Sequence, residues 1–431
     1  MRNLAKKLSG YSLFSAAALI LGFARELIVA SSFGLSYELD VFVAIMGFHL
    51  FFGVQVGNAL ENAFVSKVAK LDGDHHVVEN FISSLYGLIL INCIIGVVLI
   101  LISDDLIKFI FPKFNNQQLA LSNTLVDLFV ITILFANVSG LMRGGLNVLR
   151  DFSPGFLSGS FISIFSIASV LLFSAEIGIN ALVFGFMAGN FFVLLFFGFR
   201  LSRKCSFAGM LRFPNIFDPK LFYIWSAAAI VLIGEVFYQA TSMTERSLAS
   251  LLQVGTISSF FYASALVMVP LALIVVPATT ILFPRMTETF GRNREEGVKL
   301  LKDFGRYILL FSILLVIILT TSSDYLINMI YVRGRFSVED GHRTAAILSI
   351  IAFSLPALSV SRLLAYSFYA LSDYRTPVYG HIVHWLILLS LGFTFVPIYG
   401  AKGLAFSSVA AVTCATLLMY VLLLKKLRHG G

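Results

Sequence analysis

The chain has 431 residues, 58% of them hydrophobic and 13% charged, with a formal net charge of +8 and a mean hydropathy of +0.91. An average soluble domain is about half apolar and about a quarter charged, so too few polar residues remain to cover a soluble core of this size. That excludes a soluble enzyme, a disordered chain and a secreted disulfide scaffold, and leaves an all-α polytopic membrane protein whose spans need about 20 apolar residues each.

The N-terminus opens on Arg2, Lys6 and Lys7 and an apolar stretch to Ala24, as a signal peptide does. The stretch resumes at Leu27-Ile28-Val29-Ala30 and completes a full span, so a cleaved leader is not expected. Apolar runs then predict about twelve transmembrane helices, near 10–32, 38–66, 79–103, 120–148, 156–175, 178–200, 218–246, 256–283, 304–322, 343–370, 377–396 and 403–425. The runs are long and do not alternate, which argues against barrel strands. With the N-terminus inside, the inner loops and both termini hold about 21 Lys and Arg and the outer loops about 7. Both termini are therefore expected in the cytoplasm of a bacterial inner membrane. The same rule accounts for the basic charge through the loops, so no nucleic-acid partner is expected. Cys93, Cys205 and Cys414 are scattered, without disulfide or metal-ligand spacing.

The two halves resemble each other at an offset of about 220 residues. Ser103-Asp104-Asp105-Leu106-Ile107 matches Ser323-Asp324-Tyr325-Leu326-Ile327, and Leu149-Arg150-Asp151-Phe152 with Pro154 matches Leu371-Ser372-Asp373-Tyr374 with Pro377. Phe64-Val65-Ser66-Lys67 after helix 2 matches Phe283-Pro284-Arg285 after helix 8. Each half holds six helices, so both share one orientation, related by a pseudo-two-fold along the membrane normal. The expected domains are an N-lobe over 1–205 (helices 1–6) and a C-lobe over 206–431 (helices 7–12). The basic segment Arg200–Lys220 is the linker between them. Two parallel lobes around a midplane cavity suit transport by alternating access.

Ionisable side chains at membrane depth cost about 2.5–3.5 kcal/mol at a helix centre and mark function. Arg25 and Glu26 lie deep in helix 1. As sequence neighbours they point about 100° apart, so one of them is expected to face the cavity. Asp40 is expected to cap helix 2. Asn58, Glu61 and Asn62 give that helix a polar face that either lines a cavity or bonds to other helices. Glu235 and Gln239, four apart, share one face of helix 7, with Glu245-Arg246 at its outer end. Asp127 and Arg143 in helix 4 and Arg362 in helix 10 are single polar points, and His381 and His384 read as packing residues of helix 11. Pro270 and Pro277 should bend helix 8. No nucleophile elbow, phosphate loop, HExxH or Cys/His cluster appears, so the chain reads as a transporter and not an enzyme. No resident cofactor is expected beyond a coupling cation, H+ or Na+.

Leu21-Gly22-Phe23-Ala24-Arg25-Glu26, Ala30-Ser31-Ser32-Phe33-Gly34 and Asp40-Val41-Phe42 resemble the opening of the MurJ/MviN family. That family belongs to the multidrug/oligosaccharidyl-lipid/polysaccharide exporter superfamily. Ile281-Leu282-Phe283-Pro284-Arg285-Met286, Tyr331-Val332-Arg333-Gly334-Arg335-Phe336 and Phe368-Tyr369-Ala370-Leu371-Ser372-Asp373-Tyr374-Arg375-Thr376-Pro377 are similar to its later segments, as is Tyr399-Gly400-Ala401-Lys402-Gly403-Leu404-Ala405. The resemblance implies a flippase moving an undecaprenyl-diphosphate-linked glycan, lipid II or a polysaccharide repeat unit, from the inner to the outer leaflet. Arg25 matches the family's helix 1 arginine and would bind the diphosphate, with Arg143, Arg246 or Arg362 as helpers. Glu26 stands where an aspartate is usual. Asn58, Glu61, Glu235 and Gln239 would meet sugar or a coupling cation. The chain departs from the family at Phe52 and Ala265, where peptidoglycan members carry arginines in helices 2 and 8, and it ends two helices earlier. The expected partners are the lipid-linked glycan, the bilayer and envelope glycan synthases. The rival expectations are an ion-coupled multidrug or cation antiporter of the same superfamily, and a non-transporting envelope scaffold.

Overall fold

The computed structural model describes residues 2–68, 74–204 and 219–429. The described residues form helices, with no strand beyond the isolated bridge Arg333–Phe336. In chain order these are α1 (Arg2–Phe33), α2 (Tyr37–Phe48), a π-helical stretch (His49–Gln55), α3 (Val56–Val68), α4 (Asp74–Ile110), α5 (Asn116–Val148), α6 (Ser153–Ile177), α7 (Asn180–Ser202) and α8 (Pro219–Ser250). There follow α9 (Thr256–Pro270), a second π-helical stretch (Leu271–Val275), α10 (Val276–Arg292), α11 (Arg294–Thr321), α12 (Ser323–Tyr331), α13 (Val338–Ile351), α14 (Ser354–Ala370) and α15 (Arg375–His429). Among the described residues the twelve apolar runs fall on helix but for short turns, at Gly178–Ile179 and Ala352–Phe353 among them. Among the described residues, eight helices are long and apolar enough to cross a membrane, or nine if the bent pair α13 and α14 is one span. One of the eight, α15, turns at Gly400, where φ is 58°, and so carries two of the runs. The protein is a polytopic all-α membrane protein.

Packing divides the chain into Met1–Val236 and Phe237–Gly431. The lobe boundary expected at 205/206 lies outside the described residues, as do Cys205 and most of the expected linker. The division falls inside α8 because Ala228, with Trp225 and Leu232, packs into the core of the first unit.

The spine of the first unit is α5. It packs against α2, the first π-helical stretch, α3, α4 and α7. Its backbone meets that of α3 directly: a Cβ on Gly140 would come within 2.6 Å of the Gly57 carbonyl oxygen. Helices without a hydrophobic driving force between them associate through such close approaches of small residues. The span Tyr37–Val68 is accordingly 67% buried inside the protein, against 17% for α11, whose apolar side chains are left for lipid. Ser36 is the N-cap of α2, accepting from Leu39 N–H. Asp40 lies within the first turn, so it does not cap the helix as the sequence suggested. In the second unit α13 packs against α9, and α14 packs against α10, α11 and α15.

The internal repeat is written into the backbone. Departures from regular helix recur 222 residues apart. The π-helical stretches start at His49 and Leu271. Capping boxes start at Asn115 and Ser337. Left-handed residues fall at Arg150 and Ser372, and again at Gly178 and Gly400. In both halves the helix before the turn closes in the same way, with Asp151 N–H donating to Leu146 O and Asp373 N–H to Phe368 O, each at 2.8 Å. Each turn aspartate then grips the basic end of a later helix. Asp151 meets Arg200 at 2.7 Å and Lys204 at 3.9 Å, and Asp373 meets Lys426 at 2.6 Å.

Burial alone would raise the Asp373 pKa, but hydrogen bonds from Lys426 and Thr376 outweigh it and hold the carboxyl at about 2 instead of 3.8. A depressed carboxyl stabilises the fold fully above its unfolded pKa and ceases to do so as pH falls through the folded one. The Asp373 contribution is therefore complete above about pH 4 and fades toward about pH 2. Lys426→Met should lower the thermal midpoint at pH 7 and flatten its decline between pH 4 and pH 2. Thermal unfolding at a series of pH values checks this, and an unchanged acid limb would contradict it.

Candidate functional site

Helix α1 carries the first charged pair. Arg25 Nη2 donates to Glu26 Oε1 at 2.5 Å and Nε to the same oxygen at 3.1 Å. The two side chains are only 20% and 16% exposed. Neighbouring Cβ atoms diverge on a helix, but the long arginine stem folds back and the two side chains pair with each other, a contact not anticipated from sequence. The guanidinium also lies over the Phe186 ring of α7 at 4.9 Å, a cation–π contact. On its other contacts Phe186 meets His49 edge-on at 6.4 Å, and His49 stacks on Phe129 at 5.4 Å. His49 is buried with Nδ1 lacking a hydrogen-bond partner.

The second cluster joins α3 to α5. Arg143 Nε donates to Glu61 Oε2 at 2.6 Å, Arg143 Nη2 to Asn58 Oδ1 at 2.7 Å, and Asn147 Nδ2 to Glu61 Oε1 at 2.7 Å. Both carboxylate oxygens are used. The polar face of helix 2 thus bonds to a neighbouring helix, which was one of the two readings open from sequence. The Gly57–Gly140 approach brings these side chains together. One turn away, Asn137 Nδ2 donates to the Phe52 carbonyl at 2.8 Å and to Asn92 Oδ1 at 2.7 Å. A π-helical stretch shifts backbone hydrogen bonding, and Asn137 supplies a donor to a carbonyl within it.

The other expected residues are dispersed. Glu235 is half-buried and has no hydrogen-bond or ion-pair partner among the described residues, whereas Gln239 is buried. Glu245 accepts from Ser408 of α15. Arg246 Nη1 is buried without a hydrogen bond among the described residues. Nearby, Trp385 Nε1 donates to Thr244 Oγ1 at 3.0 Å, and the His381 ring lies edge-on to Tyr238 at 6.0 Å. Arg362 is exposed and sits over the Tyr366 ring at 5.7 Å. Among the described residues, no three His, Cys, Asp or Glu side chains gather closely enough to hold a metal ion.

Two chemistries separate the cations. Arg143 is held by acceptors from two side chains of another helix, a structural arrangement. Arg25 has one carboxylate oxygen from the next residue, so an incoming anion has only one acceptor to displace. A bidentate guanidinium fits a diphosphate well.

A family model described as "Lipid II flippase MurJ" matches residues 29–430. The chain belongs to the lipid II flippase MurJ family. A probable lipid II flippase MurJ of Buchnera aphidicola subsp. Schizaphis graminum is 27% identical over 98% of this chain and 84% of its own length. A solved lipid II flippase MurJ in an inward closed conformation superposes with TM-score 0.82 at 22% identity, covering 96% of this chain and 87% of its own. An inward-facing multidrug-resistance transporter of the same superfamily also gives TM-score 0.82, at 12% identity over 95% of this chain and 94% of its own. That likeness speaks for the fold alone. The family's helix 2 arginine position, Phe52 here, falls in the π-helical stretch and presents a ring against Phe51 at 4.9 Å. Ala265 lies in α9. Neither supplies a cation. Asn137, Asn92, Asn147 and Phe186 were not anticipated from sequence, since an uncharged residue in an apolar run carries no signal of its partner.

Proposed function

We propose that this chain is a flippase of the bacterial inner membrane, with both termini cytoplasmic. It moves an undecaprenyl-diphosphate-linked saccharide from the inner to the outer leaflet, with lipid II as the first cargo. The observation that carries the reading is membership of the MurJ family together with an arginine whose carboxylate partner is the neighbouring Glu26. In low dielectric a diphosphate needs a cation, and Arg25 exchanges its Glu26 carboxylate for the diphosphate oxygens at modest cost. Because the resting guanidinium is already neutralised, the empty carrier does not expose a bare charge to the bilayer. When the cargo leaves, Glu26 takes the guanidinium back. The membrane potential or a cation gradient drives the cycle. Envelope glycan synthases act on either side of the step.

Depletion of the resident lipid II flippase in a bacterial host tests the reading. Expression of this chain is expected to restore growth and to return lipid II to the outer leaflet, where an added impermeant hydrolase cleaves it. Failure with lipid II and with polysaccharide repeat-unit lipids alike, in cells that make and insert the chain, overturns the reading. Transport of the repeat-unit lipids alone would move the cargo and keep the mechanism.

A further inference from the structure

Helix α8 carries polar side chains on two sides, and only one side is satisfied. Thr241 Oγ1 donates to the Phe237 carbonyl at 3.0 Å. Thr244 Oγ1 accepts from Trp385 Nε1 at 3.0 Å, and Glu245 accepts from Ser408 of α15. Leu248 fits against Gly392, also of α15. These four residues lie within about 100° of helical arc, the side of α8 turned to α15. Glu235, Gln239, Ser242 and Arg246 follow at i, i+4, i+7 and i+11, which sets them within about 60° of arc on another side, away from α15. Among the described residues no hydrogen bond reaches any of these four side chains. Gln239 is buried and the other three are half-buried, so the face lines a recess. The lipid side of α11 looks different, with Leu310 and Ile317 58% and 55% exposed. Unpaired polar groups are costly in hydrocarbon, and a recess lined by four of them suits water or a polar ligand.

The internal repeat separates the arginine from its neighbours on this face. Gly34 and Gly255 are both left-handed, with φ of 58° and 87°, and Arg25 and Arg246 each stand nine residues before one of them. Arg246 is thus the second unit's counterpart of Arg25. Their carboxylates are used differently. Arg25 donates to Glu26, whereas Glu245 is taken by Ser408 and Arg246 keeps a buried Nη1 without an acceptor among the described residues. At the α1 positions matching Gln239 and Ser242 stand Ala18 and Leu21. The cation is therefore common to both repeats, while the amide and the hydroxyl belong to the second alone. A guanidinium suits phosphate oxygens. An amide and a hydroxyl, each both donor and acceptor, suit the hydroxyls of a sugar. From Arg246 to Gln239 the helix rises ~10 Å, the reach of a disaccharide.

We propose that Gln239, Ser242 and Arg246 form a docking face for the headgroup of the lipid-linked glycan, in which Arg246 takes phosphate oxygens and Ser242 and Gln239 take sugar hydroxyls. The glycan as occupant rests on the flippase reading, while the access of the face to water is independent of it.

Binding to the full-length protein in lipid nanodiscs is measured with lipid II and with undecaprenyl diphosphate, which lacks the sugar. Gln239→Leu/Ser242→Ala is expected to weaken lipid II binding by on the order of tenfold, for two lost hydrogen bonds, and to leave undecaprenyl diphosphate binding unchanged. Arg246→Gln is expected to weaken both. Unchanged lipid II affinity in the first variant, or an equal loss of both ligands in it, overturns the docking face, and so does Arg246→Gln with the parent's affinities. Ser242→Cys, in a background without the native cysteines, reads the face with no cargo present. A charged thiol reagent is expected to modify it and to leave Leu310→Cys, on the lipid side of α11, untouched. No modification at Ser242→Cys, or equal modification at both, overturns the proposal while lipid II binding keeps the flippase reading. Modification at Ser242→Cys in a chain that binds neither lipid keeps the water-lined face and overturns its glycan occupant along with the flippase reading.

Discussion

Replacing Glu61 by methionine should destabilise the first unit more than any other single polar change considered, because it strands Arg143 in the bilayer. A cation at a helix centre costs about 2.5–3.5 kcal/mol on insertion scales; Arg143 lies toward the end of α5, so the cost should fall below that, with only Asn58 left to meet it. Arg143→Met should cost a similar amount by leaving Glu61 with Asn147 alone. The double variant removes both charges and keeps the apolar volume. Replacing a buried pair outright is often neutral, so its stability should return to within about 1 kcal/mol of the parent. Thermal or denaturant unfolding of the three variants in one detergent gives the coupling energy directly. Losses that simply add would show that the pair does not act as a unit and that the bridge between α3 and α5 is only apparent.

The second large effect concerns Arg25. Removing one partner of a desolvated charge pair at a binding site costs about 2–5 kcal/mol, which is on the order of a hundredfold or more in affinity. Arg25→Ala should therefore abolish measurable binding of lipid II and its transport, and the double variant Arg25→Ala/Glu26→Ala, which strands no carboxylate, should lose both as well. Arg25→Lys should fall between, since an ammonium keeps the charge and loses the planar fork. Glu26→Gln should act in the opposite sense on binding. The guanidinium then meets only a neutral amide oxygen, so affinity rises, while release slows because that amide competes for it less well than a carboxylate. Binding isotherms and single-turnover flipping on the same preparations separate the two quantities. A Glu26→Gln protein that binds more weakly than the parent would remove the exchange step from the mechanism.

Hydropathy located the spans well, because twelve long apolar runs have few other ways to satisfy their backbones in lipid. The repeat was also visible in the chain, and its loop motifs Leu149-Arg150-Asp151 and Leu371-Ser372-Asp373 turned out to be matching left-handed turns. What those aspartates do was hidden, since Arg200 and Lys426 approach them from some 50 residues away. The site was legible by type and not by pairing. Asn58 and Glu61 were placed on one face correctly, yet whether that face met water or Arg143 depended on the approach of Gly57 to Gly140. The Arg25–Glu26 contact was missed because helical wheels describe Cβ directions, and a guanidinium on three methylenes reaches well beyond its own. The π-helical stretch at His49–Gln55 leaves no hydropathy signal, because an apolar sequence looks alike in either kind of turn.

The bond from Asn137 to the Phe52 carbonyl also constrains the order of biogenesis. The donor is synthesised 85 residues after the acceptor, so helix 2 enters the bilayer long before its clasp exists. An unclaimed carbonyl in hydrocarbon costs several kcal/mol. The widened turn therefore gains its side-chain clasp only when α5 arrives beside it, and that bond belongs to the assembled bundle and not to the isolated span.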